Sequence, residues 1–230
     1  MAQERIWDKE YSNSQFLTKE NKPQADVVRF VKWLKKEQDF DIDNKKVLDL
    51  GSGTGRNSFY FAELGASVVG VEISGVAVNL AKKNLSGVDF NVEYVKGSMG
   101  DEQVLEKFGN DSFDIVLDIT SSNSLTEKER EVYLKESERI LKPGGYFFVK
   151  ALCKDGDVNA KYLLKNNPRA EKDNYTMPQT GITERVWSRE DLEETYGKYF
   201  KILSLEKKTN YSLIDGRSYK RNFWLLYLTK

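Results

Sequence analysis

Apolar residues in this chain follow two periods that alternate along its length. Between residues 23 and 38, Val27, Phe30, Val31 and Leu34 stand at i, i+3, i+4 and i+7, with lysines filling the other side. That spacing predicts an amphipathic helix, with Pro23 suited to its first turn. Ahead of it, residues 1–22 are polar but carry Trp7, Tyr11 and Phe16, which predicts a short helix and a loop. From residue 47 onward, short apolar runs at 47–50, 67–71, 113–117 and 146–149 read as strands. Helical stretches at 57–64 and 76–84 fall between them, and Gly65 fits the C-terminal cap of the first. Val88, Phe90, Val92 and Tyr94 alternate with polar residues, as on a strand nearer a sheet edge. The run at 113–117 is nearly all apolar, as a strand covered on both faces requires. Thr126 and Glu129 have capping-box spacing at the start of a further helix, which ends before the turn signal Pro143-Gly144-Gly145.

The last third changes character. Residues 151–187 are polar, with Pro168 and Pro178, and are too long for an ordinary connection. Ser188 then caps a helix running through Tyr196. Strands are expected at 200–205 and 222–228, pairing as an antiparallel hairpin around a wide loop at 207–220. The fold class predicted is α/β: a Rossmann-like doubly wound sheet of seven strands, mostly parallel, with an antiparallel hairpin strand at its C-terminal end. The 230 residues suffice for one such domain over 1–230, with 1–38 as an N-terminal helical cap.

Composition narrows the chemistry. Lys plus Arg and Asp plus Glu both number 36, so no basic excess argues for binding a phosphate backbone. Cys153 is the single cysteine, which leaves no intrachain disulfide and no cysteine metal cluster. The chain contains no histidine, which removes histidine acid–base chemistry and most zinc sites; no metal is expected. The N-terminus lacks an apolar signal core and no run approaches the ~20 apolar residues of a membrane span. The expectation is a soluble, cytoplasmic protein, monomer or homodimer, without membrane partners.

The chemistry concentrates in Val47-Leu48-Asp49-Leu50-Gly51-Ser52-Gly53-Thr54-Gly55. A buried strand there runs into a tight turn and a helix N-terminus. Glycines let the chain turn sharply and let a ligand lie against bare backbone, while the first helical N–H groups have no internal partner. A dinucleotide loop would place a glycine where Arg56 stands, and no hydride-site acid is evident, so a nicotinamide enzyme is disfavoured. The stretch resembles motif I of the class I S-adenosylmethionine-dependent methyltransferases. Trp7-Asp8-Lys9-Glu10-Tyr11 looks like the Trp-Asp-x-x-Tyr opening of many small-molecule methyltransferases. Leu141-Lys142-Pro143-Gly144-Gly145 and the helix start Trp187-Ser188-Arg189-Glu190-Asp191-Leu192 match as well. The whole is similar to the broad methyltransferase-domain group that includes tellurite-resistance-type enzymes.

The resemblance implies S-adenosylmethionine as methyl donor and S-adenosylhomocysteine as product. It implies donor contacts from Asp49, Gly51, Ser52, Gly53 and Asn57. Glu72 ends the second strand, 72 − 49 = 23 residues after Asp49, where an acid either accepts hydrogen bonds from both ribose hydroxyls or sits solvated at the strand end. Ile73 lies on the adenine face or in the core. Ser98 stands where related enzymes often have an acid for the adenine amino group; it reads the ring or is a plain loop serine, and the Met99 N–H is a second partner. Asp118, ending the fourth strand, faces the donor's ammonium group, faces the acceptor, or caps a helix. Trp7 and Tyr11, at i and i+4, lid the sulfonium with their ring faces or pack the N-terminal helix. Arg56 either pairs with the donor's carboxylate or sits on the surface. Without histidine, a general base must be a carboxylate, Tyr, Lys or Cys153; Tyr11 and Asp118 are the candidates.

The expected reaction is in-line methyl transfer to a small molecule, with 151–187 as an insert on the acceptor side, where Tyr175, Gln179 and Arg185 shape the pocket or belong to a disordered loop. Asp118-Ile119-Thr120-Ser121 does not match the Asn/Asp-Pro-Pro-aromatic motif of DNA amino-methyltransferases, so no DNA acceptor is expected. An RNA or protein acceptor, or a non-catalytic scaffold that binds the donor, are the alternatives.

Overall fold

A computed structural model describes residues 2–13, 22–214 and 217–230. Its elements, in chain order, are α1 (Ala2–Ser12), α2 (Ala25–Glu37), β1 (Lys46–Leu50), α3 (Arg56–Glu63), β2 (Ser67–Glu72), α4 (Gly75–Asn84), β3 (Val92–Lys96), α5 (Glu102–Leu105) and β4 (Phe113–Ile119). A 3-10 turn (Ser122–Ser124) follows, then α6 (Glu127–Ile140), β5 (Leu141–Leu152), α7 (Val158–Asn166), β6 (Asn174–Thr176), β7 (Thr183–Arg185), α8 (Arg189–Tyr196), β8 (Lys201–Ile214) and β9 (Arg217–Thr229). Phe16, within the stretch expected to form a short helix and a loop, lies outside the described residues.

Seven strands form one sheet in the order β3-β2-β1-β4-β5-β9-β8. The first five pair in parallel, and β9 pairs antiparallel with both β5 and β8, so that β9 alone runs against the rest. The order reverses between β1 and β4, and the ends of these strands open a crevice there. Val27, Phe30, Val31 and Leu34 of α2, with Phe61 and Ala62 of α3, cover one face. Tyr133, Leu134 and Ile140 of α6, with Leu192 and Tyr196 of α8, cover the other. The central strands are therefore apolar on both sides.

Three expectations need correction. Pro23 precedes the N-cap residue Gln24 and so stands outside the first turn of α2. Pro143-Gly144-Gly145 does not precede β5 but bulges within it: Leu141 pairs with Phe113 and Tyr146 with Ile115, so residues 142–145 all stand opposite Asp114. Gly144, at φ 75°, takes the left-handed position that the bulge needs. The wide loop at 207–220 is absent, because β8 and β9 stay paired as far as Ile214 and Arg217. Their pairing runs past the end of β5, where Leu152 faces Phe223.

The long polar segment is built, not open. It holds α7 and the β6–β7 hairpin around a small core of Leu152, Ala160, Leu163, Tyr175 and Val186. Asp157 anchors it, accepting from the Ala160 N–H at 2.8 Å to cap α7 and from the Asn222 N–H at 2.6 Å.

Candidate functional site

The turn after β1 is held by the neighbouring strand. The N–H groups of Gly51 and Ser52 donate to the Val71 carbonyl at 2.7 and 3.1 Å. Gly51 and Gly53 sit at φ 73° and 57°, and a side chain at Gly51 would run into Ser121. A Cβ on Gly53 would meet the Tyr11 hydroxyl at 2.8 Å. Only glycine fits this backbone, and the absent side chains leave a cradle lined by main chain. Ser52 Oγ is buried beside it without a partner.

This cradle forms one wall of a cavity of about 560 Å³ at the reversal point of the sheet. Glu72 stands on the same wall, 5% exposed. Its Oε2 accepts from the Gly53 N–H at 2.9 Å and its Oε1 from the Ser74 N–H at 2.8 Å. Burial lifts its pKa to about 7 in spite of these bonds. Each oxygen keeps a lone pair for a ligand. Ile73 lines the wall and joins none of the buried apolar clusters, which favours a ligand face over core packing. Ser98 and Met99 complete this side; Ser98 Oγ accepts from the Gly100 N–H at 3.1 Å and so keeps its own proton to donate.

The roof is α1. Trp7 and Tyr11 both line the cavity, their ring centroids 6.1 Å apart and tilted by 39°. Asp8 fastens the helix, accepting from Ser74 Oγ at 2.6 Å and from the Val76 N–H at 3.3 Å at the start of α4. Burial, and then the charge of Glu72, holds the Tyr11 hydroxyl far above its ordinary pKa. Asn57 also lies on the wall, where its Oδ1 accepts from the Gln24 N–H at 3.0 Å. Arg56 lines the cavity as well.

Two expected residues stand elsewhere. Asp49 is buried under the turn, accepting from Ser58 Oγ at 2.6 Å, and desolvation raises its pKa to about 6. Asp118 is fully buried. Its Oδ1 accepts from the N–H groups of Ser121 and Ser122 at 3.0 and 3.1 Å, and its Oδ2 from the Tyr133 hydroxyl at 2.8 Å. Neither carboxyl lines the cavity. The Asp118 carboxyl holds the main chain that opens the 3-10 turn. Tyr175 and Arg185 are likewise absent from the lining. Tyr175 is closed off by Glu184 and Arg221, and Arg185 stacks on Trp187 and pairs with Glu127.

The rest of the wall includes residues that no motif marks, among them Gln3, Gln24, Thr120, Ser121, Ser124 and Leu125. Thr120 holds φ 65°, rare for a β-branched residue, fixed by its N–H donating to the Lys150 carbonyl at 2.8 Å. Backbone strain of this kind gathers at functional sites, but nothing in the local sequence announces it. Among the described residues, no group of three His, Cys, Asp or Glu could hold a metal ion, and no helix is long and apolar enough to cross a membrane.

Comparison with known proteins agrees with this geometry. Residues 48–149 match the methyltransferase domain family. The ubiquinone biosynthesis O-methyltransferase of Pelagibacter ubique is 27% identical over 192 residues, covering 80% of this chain and 69% of that enzyme. The cypemycin N-terminal methyltransferase of a Streptomyces species is 36% identical over 110 residues, covering 47% of this chain and 42% of that protein, less than half its length. The fold matches that of the Burkholderia thailandensis 1,6-didemethyltoxoflavin-N1-methyltransferase, solved with 1,6-didemethyltoxoflavin and S-adenosylhomocysteine. That match has a TM-score of 0.68 at 17% identity and covers all of this chain (100%) and 88% of that one.

Proposed function

We propose that the chain, whose residues 48–149 match the methyltransferase domain family within this sheet order, is a class I S-adenosylmethionine-dependent methyltransferase that methylates a small molecule. The observation that carries the reading is the roofed cavity, closed over by α1 through Asp8, with Trp7 and Tyr11 inside. An acceptor has to fit beneath that roof together with the donor, which favours a small molecule over a folded macromolecule.

The residues present fit the donor. The glycine cradle offers bare main chain to the amino-acid tail. Glu72 accepts from the sugar hydroxyls, Ile73 lies along the adenine, and Ser98 and the Met99 N–H meet its edge. Trp7 and Tyr11 present ring faces to a cation, an attraction of roughly 0.5–2 kcal/mol. When bound, the donor supplies a methyl group on a positively charged sulfur, open to in-line displacement. The protein's task is then alignment, which can account for up to roughly 7–11 kcal/mol of a barrier.

Neither expected base serves as one in this reading. Tyr11 stays protonated at neutral pH because burial holds its proton, and Asp118 is spent on the turn behind the wall. Calorimetry with S-adenosylhomocysteine tests the proposal, together with transfer of tritium from labelled S-adenosylmethionine to small phenols, carboxylic acids and amines. Binding is expected, at least about tenfold weaker in Glu72→Ala, with label in one of the small-molecule classes. No binding by the intact protein, or label only in added RNA or protein, overturns it.

A further inference from the structure

Beside the cavity lies a buried charge cluster, none of whose charged members is among the donor contacts assigned above. Lys150, at the end of β5, is 6% exposed. Its ammonium donates to Asp26 Oδ2 at 2.8 Å and to Gln24 Oε1 at 3.3 Å, and lies 4.6 Å from the centre of the Phe223 ring. Asp26 also pairs with Lys208. Two cations and one anion leave the cluster a net charge of +1. Gln24, in contrast, lines the cavity.

We propose that Gln24 is a specificity-determining residue for the methyl acceptor, donating through its amide Nε2 to an oxygen of that molecule, and that Lys150 is the positioning residue that aims it. An ammonium has only protons to give, so it meets the carbonyl oxygen of the amide and fixes which end of Gln24 faces inward. The Nε2 group then carries two protons with no partner among the described residues. The net positive charge behind it favours an electron-rich oxygen, as on a carboxylate or phenol.

Gln24 bridges the two halves of the site: its N–H rests on Asn57 Oδ1 at the start of α3, and its side chain reaches Lys150 on the far half, where the acceptor is placed. The cradle, Glu72 and Ser98 stand at the ends of β1, β2 and β3, on one side of the reversal point. Thr120 and Lys150 stand at the ends of β4 and β5, on the other. Lys150 holds both pieces of that far wall, Gln24 through its ammonium and Thr120 through its carbonyl. Stability alone does not require the arrangement, because well-packed apolar residues commonly replace a buried ion pair without loss.

The inference rests on the small-molecule reading, and the experiment separates the two. Wild type, Gln24→Leu, Lys150→Met and the double variant are assayed for label transfer from S-adenosylmethionine. Acceptors are benzoate, catechol and a protein-free extract of molecules below about 1 kDa. Binding of S-adenosylhomocysteine and of 5′-methylthioadenosine, which lacks the amino-acid tail, is measured beside it. Gln24→Leu is expected to raise the acceptor KM roughly tenfold with kcat and both binding constants little changed. Lys150→Met should do the same, and the double variant no worse than either single one, because the two act as a unit.

Wild-type activity matched by Gln24→Leu overturns the inference and spares the small-molecule reading. So does a Gln24→Leu loss confined to S-adenosylhomocysteine, which assigns the amide to the donor's carboxylate. Additive effects of the two substitutions remove the role of Lys150. Donor binding with no label in any small molecule overturns both readings.

Discussion

The carboxyl of Glu72 accepts main-chain hydrogen bonds on both oxygens, and burial still lifts its pKa from 4.5 to about 7. The folded protein therefore keeps a proton that the unfolded chain releases near pH 4.5. In that window the folded state binds more protons, so stability falls as pH rises from about 4.5 to about 7. Asp49, raised to about 6, has the same sign over a narrower range. Thermal melts from about pH 5 to about 8 should show the melting temperature of the wild type declining, and Glu72→Gln should flatten the upper part of that decline while Asp49 preserves the lower. The ligand sees the opposite trend. Sugar hydroxyls are better held by the ionised carboxylate, so affinity for S-adenosylhomocysteine should rise across the same window. In Glu72→Gln it should be pH-independent and at least about tenfold weaker above pH 7. A pH-independent wild-type affinity would remove Glu72 from the site.

Element by element, what could be read in advance was local. Val27, Phe30, Val31 and Leu34 all face the core on α2, and Ser188 caps α8 by accepting from the Asp191 N–H. The Thr126–Glu129 capping box forms in both directions. The bulge at 142–145 and the long β8–β9 pairing were not legible, since both depend on partners far along the chain. Within the site, glycines, Glu72 and the two aromatics carry a motif. Gln24, Thr120 and Lys150 do not, because an amide before a helix and a lysine in a strand have no spacing that marks them. The roof is likewise a matter of contacts. Asp8 is half-sheltered and bonded to Ser74 Oγ and the Val76 N–H, whereas Glu4 and Lys96 pair at 2.7 Å with Lys96 54% exposed. Exposed pairs contribute little. Asp8→Ala should therefore weaken S-adenosylhomocysteine binding by roughly tenfold, with Lys96→Ala close to wild type. Equal effects in calorimetry would mean that α1 is not held by Asp8.

Across the whole molecule, Asp26 joins pieces that the chain order keeps far apart: α2 at the front of the fold, Lys150 at the end of β5, and Lys208 on the outermost strand β8. At 2% exposure its carboxylate is held below the ordinary range, because the two lysines outweigh the burial that would raise it. Removing Asp26 leaves Lys150 buried and uncompensated, while Lys208, a third exposed, can turn to water. Breaking a buried pair from one side costs about 3–5 kcal/mol; because Lys208 is free to relax, Asp26→Ala should fall near the lower end. For a chain of this length that is a drop in melting temperature of about 6–12 °C. Lys150→Met should cost less, since Asp26 keeps Lys208. Asp26→Leu combined with Lys150→Met should recover most of the loss, because an apolar pair needs no compensation. The melting temperatures of these variants then separate two roles for one cluster. If the double replacement restores stability but leaves the acceptor KM raised, the buried charge serves the site. If it restores both, the charge is only a clasp between α2 and the sheet.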